Sequence, residues 1–308
     1  MRLWDFRMMR NGRVEIGDKV SDLLGMVDDS EVFTTMFKYE SEGKTSHEVV
    51  VSPFGPENYR QLCTITFQVR DKPGSLAQCA KFLKGRNIDI LNSESIAFMP
   101  SILMTWVMLV DLSFYGEREN LEMEFKEAKE ARDSSLSNVD SMKTELSNLA
   151  ERYTKGSAPG NARICTKALK KTEKASMLKG NSLELPESYL GFFGKRDAPV
   201  MLIGDTSSWT LSLSLLNEGT KLWRIKFNLP DKPGSVYEIS QMMAANDINI
   251  LAGYTLVLIY YKKMLFEIVA DISGCKKGCE DFSNFISEKA VALGKDYSIA
   301  SAEKIEFK

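Results

Sequence analysis

The chain has 308 residues, 44% of them hydrophobic and 27% charged, with a net charge of −2 and a pI near 5.8. That length allows about two domains, and that charge excludes a global pull towards nucleic acid or anionic membrane. No apolar run reaches the roughly 18–20 residues that span a bilayer, no signal-peptide core follows Met1-Arg2-Leu3-Trp4-Asp5, and five scattered cysteines fit a reducing, cytoplasmic setting.

Residues 1–13, with Arg2, Arg7, Arg10 and Arg13, are expected to be a short polar lead-in. Strand-like text follows at Val14-Glu15-Ile16, Val32–Tyr39 and Glu48–Val51, with Gly25, Asp28-Asp29 and Glu42-Gly43-Lys44 between the runs. Two prolines and a glycine in Ser52-Pro53-Phe54-Gly55-Pro56 close this hairpin segment, residues 1–56. Next, Ile65, Phe67 and Val69 alternate with polar residues as a half-buried strand. Pro73-Gly74 ends it, and a helix carries Leu76, Cys79, Ala80 and Leu83 on one apolar stripe. Gly85 stops that helix; Ile88 and Ile90 open a second strand and 104–112 reads as a third. A charged helix is then expected over about 117–153, because a 4-3 spacing runs through Leu121, Phe125, Ala128, Arg132, Ser135, Val139, Met142, Leu146, Leu149 and Tyr153, apolar mainly in its second half. It either covers its own sheet or serves as a dimerisation arm. Residues 163–169 are the expected fourth strand, and 171–181, overlapping the basic run Lys167 to Lys179, a solvated linker.

The order then repeats. Asp71-Lys72-Pro73-Gly74-Ser75 returns as Asp231-Lys232-Pro233-Gly234-Ser235, and 63–113 lies on 223–273 without a gap. Thirteen of the fifty-one positions match, against roughly three by chance. The second copy continues with a short helix near 278–293 and a strand from Ile299 to Phe307. Each copy is therefore βαββαβ, the ferredoxin-like arrangement of an α+β protein. The divisions are 60–170 and 221–308 for the copies, with a second hairpin segment at 182–218 ahead of the second. The second strand of such a sheet is an edge, and edges tend to be paired or covered, so the copies are expected to pack as an internal pseudo-dimer.

Chemistry is scarce. One histidine, His47, and no CxxC pair leave little for a zinc site or an acid–base centre. Cys275 and Cys279 lack further ligands nearby. No phosphate loop, dinucleotide fingerprint or nucleophile elbow is present. The expectation is a chain that is not an enzyme, with no catalytic residue, no metal and no cofactor.

Strand, Asp-Lys-Pro-Gly-Ser, amphipathic helix, then Asn87-Ile-Asp-Ile90 or Asp247-Ile-Asn-Ile250: this pattern resembles the ACT domain. The resemblance implies βαββαβ modules that bind amino acids or other small molecules and control attached enzymes or regulators, often pairing side by side. A second resemblance precedes each copy. Val14-Glu-Ile-Gly-Asp-Lys-Val20 with Gly25 can be laid on Leu183-Glu-Leu-Pro-Glu-Ser-Tyr189 with Gly194, at an offset of 169. It is similar to the swapped-hairpin half-barrel of AbrB-type DNA-binding proteins, two halves of which interlock. Where that family carries a basic residue, this chain has Ser21 and Leu190.

The repeated loop suits an amino acid. A helix start offers free N–H groups and a positive dipole end to a carboxylate. Gly74 and Gly234 leave the backbone approachable, and Asp71 and Asp231 could receive an ammonium. The expected ligand-binding sets are Asp71, Pro73, Gly74, Ser75, Leu76, Asp89 and Ile90, and Asp231, Pro233, Gly234, Ser235, Val236, Asn249 and Ile250. The alternative is a structural turn in which Asp caps the helix. The expected function is non-catalytic, amino-acid-responsive regulation. Its rivals are a ligand-controlled DNA-binding transcription regulator, which leaves DNA contact open, and a regulatory subunit of a separate enzyme. Expected partners are a small molecule, a second copy of the chain through 117–153, and a protein partner, but no membrane.

Overall fold

The structure, a computed structural model, describes residues 2–41, 44–54, 62–147, 149, 152, 156, 169–178, 180–206, 208–275 and 281–307. The chain opens with β1 (Arg2–Met9), β2 (Arg13–Glu15), α1 (Asp18–Leu24), β3 (Glu31–Ser41) and β4 (Lys44–Ser52). The basic lead-in is thus a strand. Phe6 and Met9 are buried, so the segment contributes to the core. Asn11 and Gly12 follow at φ 50 and 77, the left-handed pair that a tight type I′ turn requires.

The first repeat runs β5 (Leu62–Arg70), α2 (Ser75–Lys84), β6 (Asp89–Met99), β7 (Leu103–Asp111), α3 (Arg118–Glu130) and β8 (Val139–Leu146). Its sheet order, β6-β7-β5-β8, is the ferredoxin-like one. One face of β5 presents Cys63, Ile65, Phe67 and Val69 to Cys79, Phe82 and Leu83 of α2 and to Leu121 and Phe125 of α3, all of them buried. Each large side chain so buried contributes about 1.5–3 kcal/mol.

The long helix expected over 117–153 is corrected to thirteen residues. Arg132 turns left-handed at φ 54, and Asp133 caps a short turn by accepting from the Ser135 N–H at 2.8 Å. Ser134, Ser135, Ser137 and Asn138 favour such turns over helix interior. Val139 then pairs with Val69 as β8 takes the sheet edge. The 4-3 apolar spacing was a coincidence of two elements, and among the described residues a turn and strand β8 interrupt any single helix over 117–153. The fourth strand is therefore β8, not 163–169, of which only Leu169 lies among the described residues.

Next come β9 (Leu169–Leu178), β10 (Ser182–Glu184), α4 (Glu187–Phe193), β11 (Ala198–Asp205) and β12 (Thr210–Leu215). The expected basic linker is strand β9, paired along its length with β3 from Glu31↔Ser176 to Lys38↔Leu169; Lys167 and Lys179 lie outside the described residues. Eight strands form one sheet in the order β1-β11-β12-β4-β3-β9-β10-β2. The two hairpin segments meet reciprocally in it. Val14 pairs with Leu183, flanked by Glu15↔Ser182 and Arg13↔Glu184. The Ile16 N–H donates to the Asn181 carbonyl and the Leu185 N–H to the Gly12 carbonyl, each at 2.9 Å. Every one of these pairs maps onto its partner under the 169-residue shift, so a local twofold axis passes through Val14 and Leu183.

The second repeat runs β13 (Leu222–Leu229), α5 (Ser235–Ala244), β14 (Asn249–Ile259), β15 (Lys263–Asp271), α6 (Phe282–Leu293) and β16 (Ser298–Lys304), with sheet order β14-β15-β13-β16. Its β13–β15 register repeats that of β5–β7: Phe67↔Trp106 and Phe227↔Phe266 are one example. From 71 to 90, every residue shares its buried, half-buried or exposed state with its mate 160 positions on. Each repeat keeps its own four-stranded sheet, with β6 and β14 at the edges as expected.

Candidate functional site

Asp71 and Asp231 act first on backbone. The Ser101 N–H donates to Asp71 Oδ2 at 2.6 Å, and the Tyr261 N–H to Asp231 Oδ2 at 2.7 Å. Ser101 and Tyr261 sit at φ 67 and 60 at the tips of the β6–β7 and β14–β15 hairpins. The aspartates therefore clamp hairpin tip to helix start; neither caps its helix, since Gly74 and Gly234 occupy the caps. These glycines stand at φ 90 and 95 with open space where a Cβ would point. The loop closes when the Ser75 N–H donates to the Lys72 carbonyl at 3.2 Å, and Ser235 to Lys232 at 3.3 Å.

Around the first loop lies a cavity of about 550 Å³, lined by residues 71–77, Ser101 and Met104. Ser75 lies at its floor, 2% exposed, and its Oγ has no hydrogen-bond partner. The N–H groups of Leu76 and Ala77 have none either among the described residues. An isolated buried hydroxyl costs about 1–3 kcal/mol. Three donors without partners thus lie at the positive end of a ten-residue helix, and Lys72 also lines the cavity. A carboxylate would satisfy them. The second Asp71 oxygen remains for an ammonium, since Oδ2 alone is engaged.

Of the expected first set, the structure brings together Asp71, Pro73, Gly74, Ser75 and Leu76. Asp89 and Ile90 are elsewhere. Asp89 pairs with Asp111 at the end of the sheet where β5 begins, while Asp71 follows the end of β5 beside Ile102. Helix α2 runs back along the sheet, so the start of β6 lies near its C-terminus. The same geometry parts Asn249 and Ile250, opposite Asp271 and Ala270, from Asp231, Pro233, Gly234, Ser235 and Val236. Lys72, Ala77, Ser101 and Met104 were missed, although the gapless alignment marks Ala77 and Ser101 as places where the copies differ.

In the second repeat the floor is occupied. The Tyr297 hydroxyl lies 3.4 Å from Ser235 Oγ and also donates to the Glu238 carboxylate. Tyr297 is 3% exposed; burial first, then the Glu238 bond, pushes its hydroxyl above the usual tyrosine range. Met142 and Ile299 face Phe67 and Phe227; in the first repeat a register shift then brings the buried Val139 opposite Val69. The residue matching Glu238, Gln78, turns instead to Ser137 Oγ at 3.1 Å and accepts from the Asn138 N–H at 2.9 Å.

Other titratable groups are packed rather than poised. Burial pushes the thiols of Cys63 and Cys79 up to about 11 and about 12, away from thiolate chemistry. His47 packs edge-on against Phe193 at 5.2 Å, and burial, Lys38 and Lys195 lower its pKa. Cys165 and Cys279 lie outside the described residues. Among the described residues no helix is long and apolar enough to cross a membrane.

No family model and no curated relative matches the sequence. Among solved structures the chain is similar to a proposed glycine cleavage system transcriptional repressor, at 13% identity over 80% of this chain and 98% of that one, with a TM-score of 0.25. Against the acetolactate synthase small subunit from Thermotoga maritima the identity is 11%, over 80% and 99%, with a TM-score of 0.21. Against aspartate kinase from Synechocystis it is 11%, over 79% and 43%, with a TM-score of 0.20. Such scores do not align the whole chain, and the ferredoxin-like assignment rests on strand order and register. Fold and site together define a tandem ferredoxin-like protein with a donor-lined cavity in its first repeat.

Proposed function

We propose that the chain is a non-catalytic regulatory protein that senses an amino acid through its ACT-like repeats. The observation that carries this reading is the first loop: Ser75, with an orphaned, buried hydroxyl, and Leu76 and Ala77, whose N–H groups have no partner among the described residues, all belong to the lining of a cavity of about 550 Å³. Carboxylate and ammonium would meet complementary groups there, the ammonium at Asp71. The high pKa values of Cys63 and Cys79 support a binding role over nucleophilic chemistry.

The reciprocal pairing about Val14 and Leu183 supports a swapped-hairpin reading of the eight-stranded sheet. A DNA-binding role for it is disfavoured, because Ser21 and Leu190 are both buried where a phosphate-contacting base would need to be exposed.

A thermal-shift screen of the twenty amino acids tests the proposal. At least one should raise the melting temperature at millimolar concentration, since a ligand at a hundred times its Kd stabilises by about 2.7 kcal/mol. Ser75→Ala should shrink that shift. If none of the twenty stabilises the chain, the sensing reading fails.

A further inference from the structure

The two loops share backbone, clamp and burial, yet their side chains answer the same need differently. In the first, the Ser75 hydroxyl is buried without a partner, and Ser75 is among the residues that line the cavity. In the second, the Ser235 hydroxyl is fully buried but meets the Tyr297 hydroxyl, itself tied to Glu238. The rim has diverged in the same sense. Ala77 and Ser101, which line the first cavity, correspond to Tyr237 and Tyr261. Pro100 corresponds to Tyr260, whose ring lies 4.0 Å from that of Tyr261. Small residues stand where the hydroxyl lacks a partner, and tyrosines where it has one.

We infer that the duplication has split into a binding loop, whose serine hydroxyl is unpartnered, and a loop whose serine hydroxyl is already met by Tyr297, so that the chain takes a single carboxylate ligand, in the first repeat. The ligand's carboxylate accepts from Ser75 Oγ and from the N–H groups of Leu76 and Ala77, at the helix end where anions are favoured. In the second repeat the Tyr297 hydroxyl stands in for one ligand oxygen, and tyrosines hold the positions of Ala77 and Ser101. Equal binding at both loops would leave the orphaned hydroxyl confined to one repeat without a cause.

This inference rests on the reading of the first loop as a ligand site, and the test separates the two. The full chain, labelled with ¹⁵N, is titrated with sodium acetate, a bare carboxylate, and then with glycine, while the amide signals of 75–77 and 235–237 are followed. Expected is a saturable shift at 75–77 with 235–237 still. Ala77→Tyr combined with Ser101→Tyr should abolish it. Should that double variant fail to fold, Ser75→Ala should weaken acetate about tenfold, the loss of one hydrogen bond to a charged group. Saturable shifts at 235–237 that match or exceed those at 75–77 overturn the inference, as does silence at 75–77 with both probes. An amino acid that stabilises the chain while 235–237 respond keeps the sensing reading and sinks this one. Acetate confined to the first loop, with no amino acid stabilising, does the reverse.

Discussion

The loops at 71–77 and 231–237 are one backbone with two chemistries. Both cap their helix with a glycine near φ 90, both tie an aspartate to a hairpin tip, and both bury a serine hydroxyl. Only the first leaves that hydroxyl unpartnered. The letters that recur, Asp, Pro, Gly and Ser, hold the chain path; Ala77 against Tyr237, Ser101 against Tyr261 and the Tyr297 hydroxyl beside Ser235 distinguish the two loops. A repeated motif is here a statement about geometry. Occupancy is written in the residues that do not repeat.

The largest test of the shared geometry is in the cores. Phe67→Ala and Phe227→Ala, both at fully buried positions, should each cost about 3–5 kcal/mol in urea unfolding followed through each repeat. Markedly unequal losses would break the equivalence of the two units. Gly74→Ala and Gly234→Ala come next. Nothing lies within 4 Å of either added Cβ, so the cost is conformational, about 1–2 kcal/mol each, and chemical denaturation should find the two alike.

The serines should then part company. Ser235→Ala removes a partnered hydroxyl and should cost about 0.5–1.5 kcal/mol. Ser75→Ala removes an unpartnered one and should be neutral or mildly stabilising without ligand. Equal destabilisation by the two variants would contradict the asymmetry. Alkaline pH gives the finest distinction. Tyr297 has its folded pKa raised above 10, so its contribution is intact below pH 10 and is lost as pH rises from there towards the folded value. Tyr115 in the first repeat is raised to about 12 by burial and Glu124 and should lose its part between 10 and about 12. Tyr297→Phe should flatten only the second repeat's alkaline loss, as reported by amide exchange; an unchanged profile would show that the hydroxyl is not held as described.

The repeat, the βαββαβ order, the α2 stripe and the edge position of β6 and β14 were legible, because apolar periodicity and matched spacing record local structure directly. The strands at Arg2–Met9 and Leu169–Leu178 were not. Both are rich in charge, and both depend on partners far along the chain, as the pairing of β9 with β3 shows. The helix read over 117–153 failed where Val139 and Met142 served a strand instead, a tertiary demand that local spacing cannot express. The site was half legible. Asp-Lys-Pro-Gly-Ser located the loop, whereas Asp89 and Asn249 were drawn to it by assuming that the start of the second strand faces the start of the helix. Tyr297 lies in the part where the copies diverge, beyond the reach of a gapless comparison.

The interleaving of the eight-stranded sheet sets a timetable for biosynthesis. β3 bonds to β4 on one side and to β9 on the other, and β2 waits for β10. Between Ser52 and Leu169 the ribosome delivers the whole first repeat, and at roughly 5–20 residues per second that interval is on the order of ten seconds. The first repeat, with every strand between Leu62 and Leu146, needs no later residue to close its own sheet. The nascent chain therefore matures out of order, its inserted unit before the sheet that encloses it. A product terminated ahead of Leu169 would carry a finished domain beside a long unpaired strand edge, the surface that invites aggregation and chaperone capture.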